Sequence, residues 1–201
     1  MAMTILYPVG KHLYVNLTNQ CPCACTFCIR QNGDGAYGSD SLWLEHDPGF
    51  AEIKAAFGKW DLSAFTELVF CGYGEPTEAL ELLLMTAVYA RSLPGCPPIR
   101  LNTNGLSDLI HGKPTAALLS DVIDTVSISL NAGTRDEYMA VTRPKWDNAF
   151  EAMQKFASDC KQYVPKVMFT VVDVIPQAEI EAAQAVADQL GIPLRVRKYD
   201  S

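Results

Sequence analysis

The chain has 201 residues, 49% of them hydrophobic and 19% charged, with a formal net charge of −7. That is the balance of one globular domain large enough to bury a core without disulfide staples, not of a disordered segment. The acidic balance argues against a nucleic-acid surface as the main function, because phosphate contacts need a basic field.

The opening residues, MAMTILYPVGKHLYV, lack the apolar core of a signal peptide, and no apolar run is long enough to span a bilayer. No membrane partner is expected, and a cytoplasmic location is. There thiols stay reduced, and clustered cysteines mean metal or catalysis more often than disulfides. The first predicted strand is HLYVNLT (12–18), and the cysteine-rich stretch QCPCACTFCIR (20–30) follows it directly. A helix is predicted near 48–59, then the strand ELVFCGY (67–73), a helix over 77–92 and the strand IRLNTN (99–104). A helical segment at 114–120, the strand TVSISLN (125–131) and a long helix over 134–161 come next. The strand KVMFTVVDV (166–174), a helix over 177–190 framed by Pro176 and Gly191, and the strand PLRVRKY (193–199) complete the pattern. Strict alternation with no linker or repeat predicts a single α/β domain over 1–201 with six mainly parallel strands.

Alternation within the strands narrows the architecture. Ile99 and Leu101 oppose Arg100, Asn102 and Asn104; Val126, Ile128 and Leu130 oppose Thr125, Ser127, Ser129 and Asn131. Leu194 and Val196 oppose Arg195, Arg197 and Tyr199, so the apolar pair is expected to pack on helices while the arginines face inward. A doubly wound sheet would bury both faces and read as continuous apolar runs, and a closed eight-stranded barrel would fill its lumen with branched apolar residues. One persistently polar face instead predicts an open partial (β/α)6 barrel whose interior holds a polar ligand. The plainer alternative is a sheet with one solvated face.

Cys21, Cys25 and Cys28 form C-x3-C-x2-C immediately after the first strand. A loop can fold three such thiolates around one corner of a metal cluster. Four thiolates saturate a [4Fe–4S] cluster, whereas three leave one iron open to an outside ligand. The same thiols could instead hold a structural Zn²⁺, with Cys23 or Cys71 completing a tetrahedron, although zinc sites usually pair two C-x2-C knuckles or add histidines. GYGEPT before a helix suggests a dinucleotide-binding turn, but the further glycine and the acid at the next strand end are missing, Asn102 and Asn104 standing there. Cys71 and Cys160 sit in core-like patterns, Cys96 in a loop, and His12, His46 and His111 have no partners at ligand spacing.

With CPCACTFC, which carries Phe27 in an aromatic slot before the last cysteine, the chain resembles the radical S-adenosylmethionine (SAM) superfamily, whose signature is C-x3-C-x-aromatic-C. The resemblance implies a [4Fe–4S] cluster on Cys21, Cys25 and Cys28, with SAM chelated by the open iron and cleaved reductively to a 5′-deoxyadenosyl radical that abstracts hydrogen. GYGEP (72–76) takes the place of the family's GGEP motif, so Gly72, Tyr73, Gly74 and Glu75 are candidates to hold the methionine amine through main-chain atoms; Tyr73 replaces the first glycine. Asn102, Asn104, Ser129 and Asn131 at strand ends are candidates for SAM's ribose and methionine, Arg143 for its carboxylate, and Phe27 for shielding cluster and adenine. The small size and CGYGEPT are similar to the radical SAM proteins linked to TatD-type nucleases and, secondarily, to small 7-carboxy-7-deazaguanine synthases. The resemblance further implies an enzyme acting on a small-molecule substrate, with a flavodoxin or ferredoxin as electron donor; the sequence has no second cysteine cluster, so no auxiliary cluster is expected. The alternatives are an activase that installs a glycyl radical on a partner protein and a zinc-stabilised binding protein without catalysis. The inward arginines, Arg195 and Arg197, are candidates to clamp an anionic substrate group.

Overall fold

One sheet organises the chain, its strands lying side by side in chain order: β1 (Leu6–Val9), β2 (His12–Val15), β3 (Glu67–Phe70), β4 (Ile99–Thr103), β5 (Thr125–Ser129), β6 (Lys166–Val172) and β7 (Leu194–Arg197). The computed structural model describes residues 3–199. From β2 to β7 every pairing is parallel. The helices α1 (Phe50–Phe57), α2 (Leu80–Ser92), α3 (Ser107–His111), α4 (Arg135–Thr142), α5 (Ala149–Cys160) and α6 (Gln177–Leu190) cross back between strands. The sheet ends in β1 and β7 and does not close, as the open partial barrel requires.

The period-2 pattern divides this sheet as the sequence leads one to expect. Leu13, Phe70, Leu101, Ile128 and Phe169 are fully buried in the core shared with the helices. The helices answer with a period near 3.6: on α5, Phe150, Met153, Phe156, Ala157 and Cys160 are buried along one stripe. Opposite residues turn inward, and Tyr14, Asn102, Ser127 and Thr170 line a common cavity. Ser127 and Thr170 are only 5% and 4% exposed, so the polar face is the wall of a concavity and not a solvated surface. Arg100, on the same face of β4 as Asn102, meets Glu67 Oε2 through its Nη2 at 2.9 Å.

Several elements differ from the sequence expectation. β1 pairs antiparallel with β2 through a turn at Gly10, whose φ is 58°; its Pro8 is tolerated because β1 is an edge strand. The single helix expected over 134–161 is two helices, broken at Arg143 (φ 45°) and Pro144, since a residue before proline avoids the helical region. The 114–120 segment is a 3-10 turn at Ala116–Leu119, and α3 is additional. Leu194 packs against the core, but Val196 is 48% exposed, because β7 is an edge strand and no helix follows it among the described residues. No helix among the described residues is long and apolar enough to cross a membrane.

The passage from β5 to α4 shows how closely the elements approach. A Cβ at Gly133 would collide with the α6 backbone at Ala182 and Ala183. Glu179, in the first turn of α6, accepts from the Gly133 and Thr134 amides, each at 3.1 Å. Gly133→Ala is therefore expected to push α6 off the sheet and cost roughly 1–3 kcal/mol. Urea unfolding of the metal-free protein checks this through a lowered midpoint at unchanged slope.

Candidate functional site

The cysteine loop has little regular structure, so its shape depends on what it is fastened to. Asn19 ties the two ends of the excursion together: its Nδ2 donates to the Leu44 carbonyl at 2.8 Å and its Oδ1 accepts from the Leu44 amide at 3.0 Å. The thiol-bearing segment then docks by main chain on the α4–α5 connection. Ala24 N donates to Thr142 O at 3.0 Å, Thr26 N to Val141 O at 2.8 Å and Lys145 N to Pro22 O at 3.1 Å. Cys23 and Pro144 form a β-bridge there.

On the other side the loop lies against the end of β3. A Cβ at Gly74 would strike the Thr18 carbonyl and one at Gly72 the Asn16 side chain, so both glycines are needed for close approach. Between them Tyr73 is 3% exposed, donates from its hydroxyl to Gly33 O at 2.8 Å and stands edge-on to Trp43 with ring centroids 5.1 Å apart. The residue that departs from the double-glycine pattern thus pins the far half of the cysteine loop. Arg30 does the same from within the loop. Its guanidinium donates to Asn19 O and Tyr73 O, each at 3.3 Å, and to Cys23 O at 3.4 Å. Sequence reasoning missed Arg30; its place two residues after Cys28 is a signal only once the loop's shape is known.

These fastenings bring Cys21, Cys25, Cys28 and Phe27 to one wall of a cavity of about 250 Å³. Gly72, Tyr73, Gly74 and Glu75 line it from the end of β3, and Asn102, Asn104, Ser129 and Asn131 from the ends of β4 and β5. Asn131 adopts φ 62°, a left-handed conformation that asparagine tolerates better than most residues. Arg197 also lines the cavity, whereas Arg195 does not. Arg143 is outside it too: its side chain is exposed, and what it contributes is the left-handed turn and the carbonyl beside Ala24.

The motif thiols differ in their surroundings. A hydrogen bond from the Cys23 thiol draws the Cys21 and Cys25 thiols below their ordinary value, while burial pushes Cys28 up. Cys23, 6% exposed, is pushed up by its bonds to Cys21 and Cys25 and by burial, as a neutral donor would be. Among the described residues no group of three or more His, Cys, Asp or Glu side chains, the motif cysteines included, is arranged to hold a single metal ion. Across the cavity the Asn102 Oδ1 atom is buried without a hydrogen-bond partner. An orphaned acceptor of this kind fits an amine or hydroxyl of a bound ligand.

Glu75 has a different place. It is 4% exposed, and its Oε1 accepts from Thr77 N (3.1 Å), Thr77 Oγ1 (2.8 Å) and Thr103 Oγ1 (2.7 Å), its Oε2 from Asn104 N (2.7 Å). Burial raises its pKa against the pull of these donors. The side chain is a clamp between the ends of β3 and β4, and it fixes Asn104 at the cavity wall.

The chain matches the family model of the radical SAM superfamily over residues 15–186. It is 31% identical over 135 residues to GTP 3',8-cyclase 2 of Mycobacterium tuberculosis (strain ATCC 25618 / H37Rv) and, equally, of Mycobacterium bovis (strain ATCC BAA-935 / AF2122/97), an alignment covering 67% of this chain and 35% of theirs. The chain therefore spans about a third of the length of these curated relatives. Among solved structures it resembles Streptococcus suis SuiB bound to its precursor peptide SuiA, with TM-score 0.66 and 16% identity over 96% of this chain and 40% of that one. It also resembles HydG, a maturase of the [FeFe]-hydrogenase, with TM-score 0.64 and 12% identity over 94% of this chain and 42% of that one. At such identities the structural likeness shows the fold alone.

Because four N–H or O–H groups converge on the Glu75 carboxylate, Glu75→Gln sets an amide NH₂ against at least one of them. The variant is expected to lose about 1–3 kcal/mol of stability in denaturant unfolding of the metal-free protein, although it preserves size and shape.

Proposed function

The chain belongs to the radical SAM superfamily, whose cofactors are a [4Fe–4S] cluster and SAM, and from that premise we propose that it is an enzyme that cleaves SAM reductively, with Cys21, Cys25 and Cys28 as the cluster ligands. The observation that carries this reading is the convergence of the three motif thiols and the ends of β3, β4 and β5 on one cavity. When bound, the cluster and SAM together supply a 5′-deoxyadenosyl radical for hydrogen abstraction.

The protein's own part is to hold and orient. Cys21, Cys25 and Cys28 would hold the cluster, and Phe27, which lines the same cavity, would shield it from water. The main chain at Gly72–Glu75 faces the methionine amine, with Asn104 held in place by the Glu75 clamp. Asn102, Ser129 and Asn131 offer polar contacts to ribose and methionine. Cys23, its thiol buried between Cys21 and Cys25, acts as a hydrogen-bond donor to sulfur and not as a ligand. We read the chain as one radical SAM core domain working in the cytoplasm, where a flavodoxin or ferredoxin supplies the electron and a small molecule is the substrate. A reducing compartment keeps the three thiols available.

Cys21→Ala, Cys25→Ala and Cys28→Ala are each expected to abolish formation of 5′-deoxyadenosine from SAM after anaerobic reconstitution, whereas Cys23→Ala retains it; iron and sulfide content read alongside distinguishes loss of the cluster from loss of turnover. Ser129→Ala and Asn131→Ala are expected to weaken SAM binding by about 1–3 kcal/mol without removing iron, as measured by titration calorimetry.

A further inference from the structure

The cavity wall carries residues that the SAM reading leaves unused, Tyr7, Tyr14, Arg197 and Lys198, and we propose that they form a subsite for a substrate carrying an anionic group and a planar ring, with Arg197 as the anion-binding residue and Tyr14 as the ring-stacking one. The proposal rests on the radical SAM reading and names the class of molecule the enzyme would attack.

Position separates Arg197 from the other inward arginines. The register pairs Arg195 with Thr170 and Arg197 with Val172, so both arginines share the inner face, yet only Arg197 reaches the cavity wall, with Lys198 beside it. Arg100 does not line the cavity and is paired with Glu67 at 2.9 Å. No carboxylate forms an ion pair with Arg197 or Lys198 among the described residues. The nearby acid Asp173 is engaged instead, its Oδ1 accepting from the Tyr199 amide at 2.8 Å. Glu75, the one carboxylate on the wall among the described residues, is committed to its four donors. In a chain of net charge −7, the unpaired charges on this wall among the described residues are the solvent-exposed cations Arg197 and Lys198.

Facing them is an aromatic surface. Tyr7 and Tyr14, paired across β1 and β2, have ring centroids 5.3 Å apart at 41°. The Tyr7 hydroxyl donates to Cys71 O at 3.2 Å, which holds the pair in place. Burial pushes both phenols up in pKa, so they stay neutral and do not repel an anion, and the Arg197 charge acts on Tyr14 and Cys71 across the cavity. A carboxylate or phosphate fits the planar guanidinium in a two-pronged contact, and a flat ring attached to it would meet Tyr14.

The test uses the anaerobically reconstituted, SAM-loaded protein and four probes: phenyl phosphate, benzoate, neutral benzamide and ringless acetate, with affinities read by ligand-observed NMR. Either or both of the aromatic anions should bind at least about tenfold, ~1.4 kcal/mol, more tightly than benzamide and acetate; the tighter of the two identifies phosphate or carboxylate as the recognised group. Arg197→Gln should erase the preference over benzamide, while Arg195→Gln, the same charge lost from the same strand outside the cavity, leaves it intact. Iron content and SAM affinity, measured on the same samples, should not change in either variant. Equal binding of benzamide and both anions, or equal effects of the two arginine variants, overturns the subsite. Weakened SAM binding in Arg197→Gln also overturns it, by assigning that arginine to the SAM carboxylate. Absence of a cluster or of SAM binding in the unmutated protein would overturn the radical SAM reading instead, a result the probe affinities do not enter.

Discussion

Everything at this site depends on the main-chain docking of the cysteine loop onto the connection between α4 and α5. Three thiols on an irregular segment have no fixed geometry of their own, and ordering such a segment costs on the order of 1–2 kcal/mol per residue in backbone entropy. The protein offsets this with amide-to-carbonyl bonds from Ala24, Thr26 and Lys145, with the bridge at Cys23 and Pro144, and with the Arg30 guanidinium spread over three carbonyls. The α4–α5 break at Arg143 and Pro144 is what presents those carbonyls, so a feature that interrupts a helix also shapes the thiol site.

A second layer of the same logic joins the loop to the strand ends. Gly72 and Gly74 allow the loop to lie against β3, Tyr73 reaches out to its far half, and the Glu75 carboxylate binds the end of β3 to the end of β4. The motif GYGEP is thus a packing and bracing element whose main chain is left facing the cavity. The open sheet provides the remaining walls, and because its inner residues are polar and its outer ones apolar, the same alternation that builds the core also builds a pocket for a polar ligand.

Much of this architecture is legible in the residues alone. Period-2 alternation at Ile99–Asn104 and Thr125–Leu130 marks the inward and outward faces, and three cysteines at C-x3-C-x2-C form a donor set that the fold brings to one wall. The features that are not legible there stay hidden for definable reasons. β1 is four residues long and contains Pro8, so it has no strand signal apart from its pairing with β2. Arg143 resembles a forked donor because side chains are what a motif displays, but here its use is through φ and a carbonyl. Val196 follows the apolar alternation yet stays exposed, since the pattern cannot say whether a helix arrives to cover an edge strand. The two β7 arginines share the inner face, and position along the strand separates Arg197, at the cavity, from Arg195, which does not line it.

The central claim, that three thiolates hold a cluster with one iron open to SAM, is tested most directly by electron paramagnetic resonance of the anaerobically reconstituted, chemically reduced protein, recorded with and without SAM. The account predicts the signal of a reduced [4Fe–4S] cluster whose shape changes when SAM is added, because SAM binds an iron of the cluster itself. A colourless protein with no such signal, or a cluster signal indifferent to saturating SAM, would contradict it.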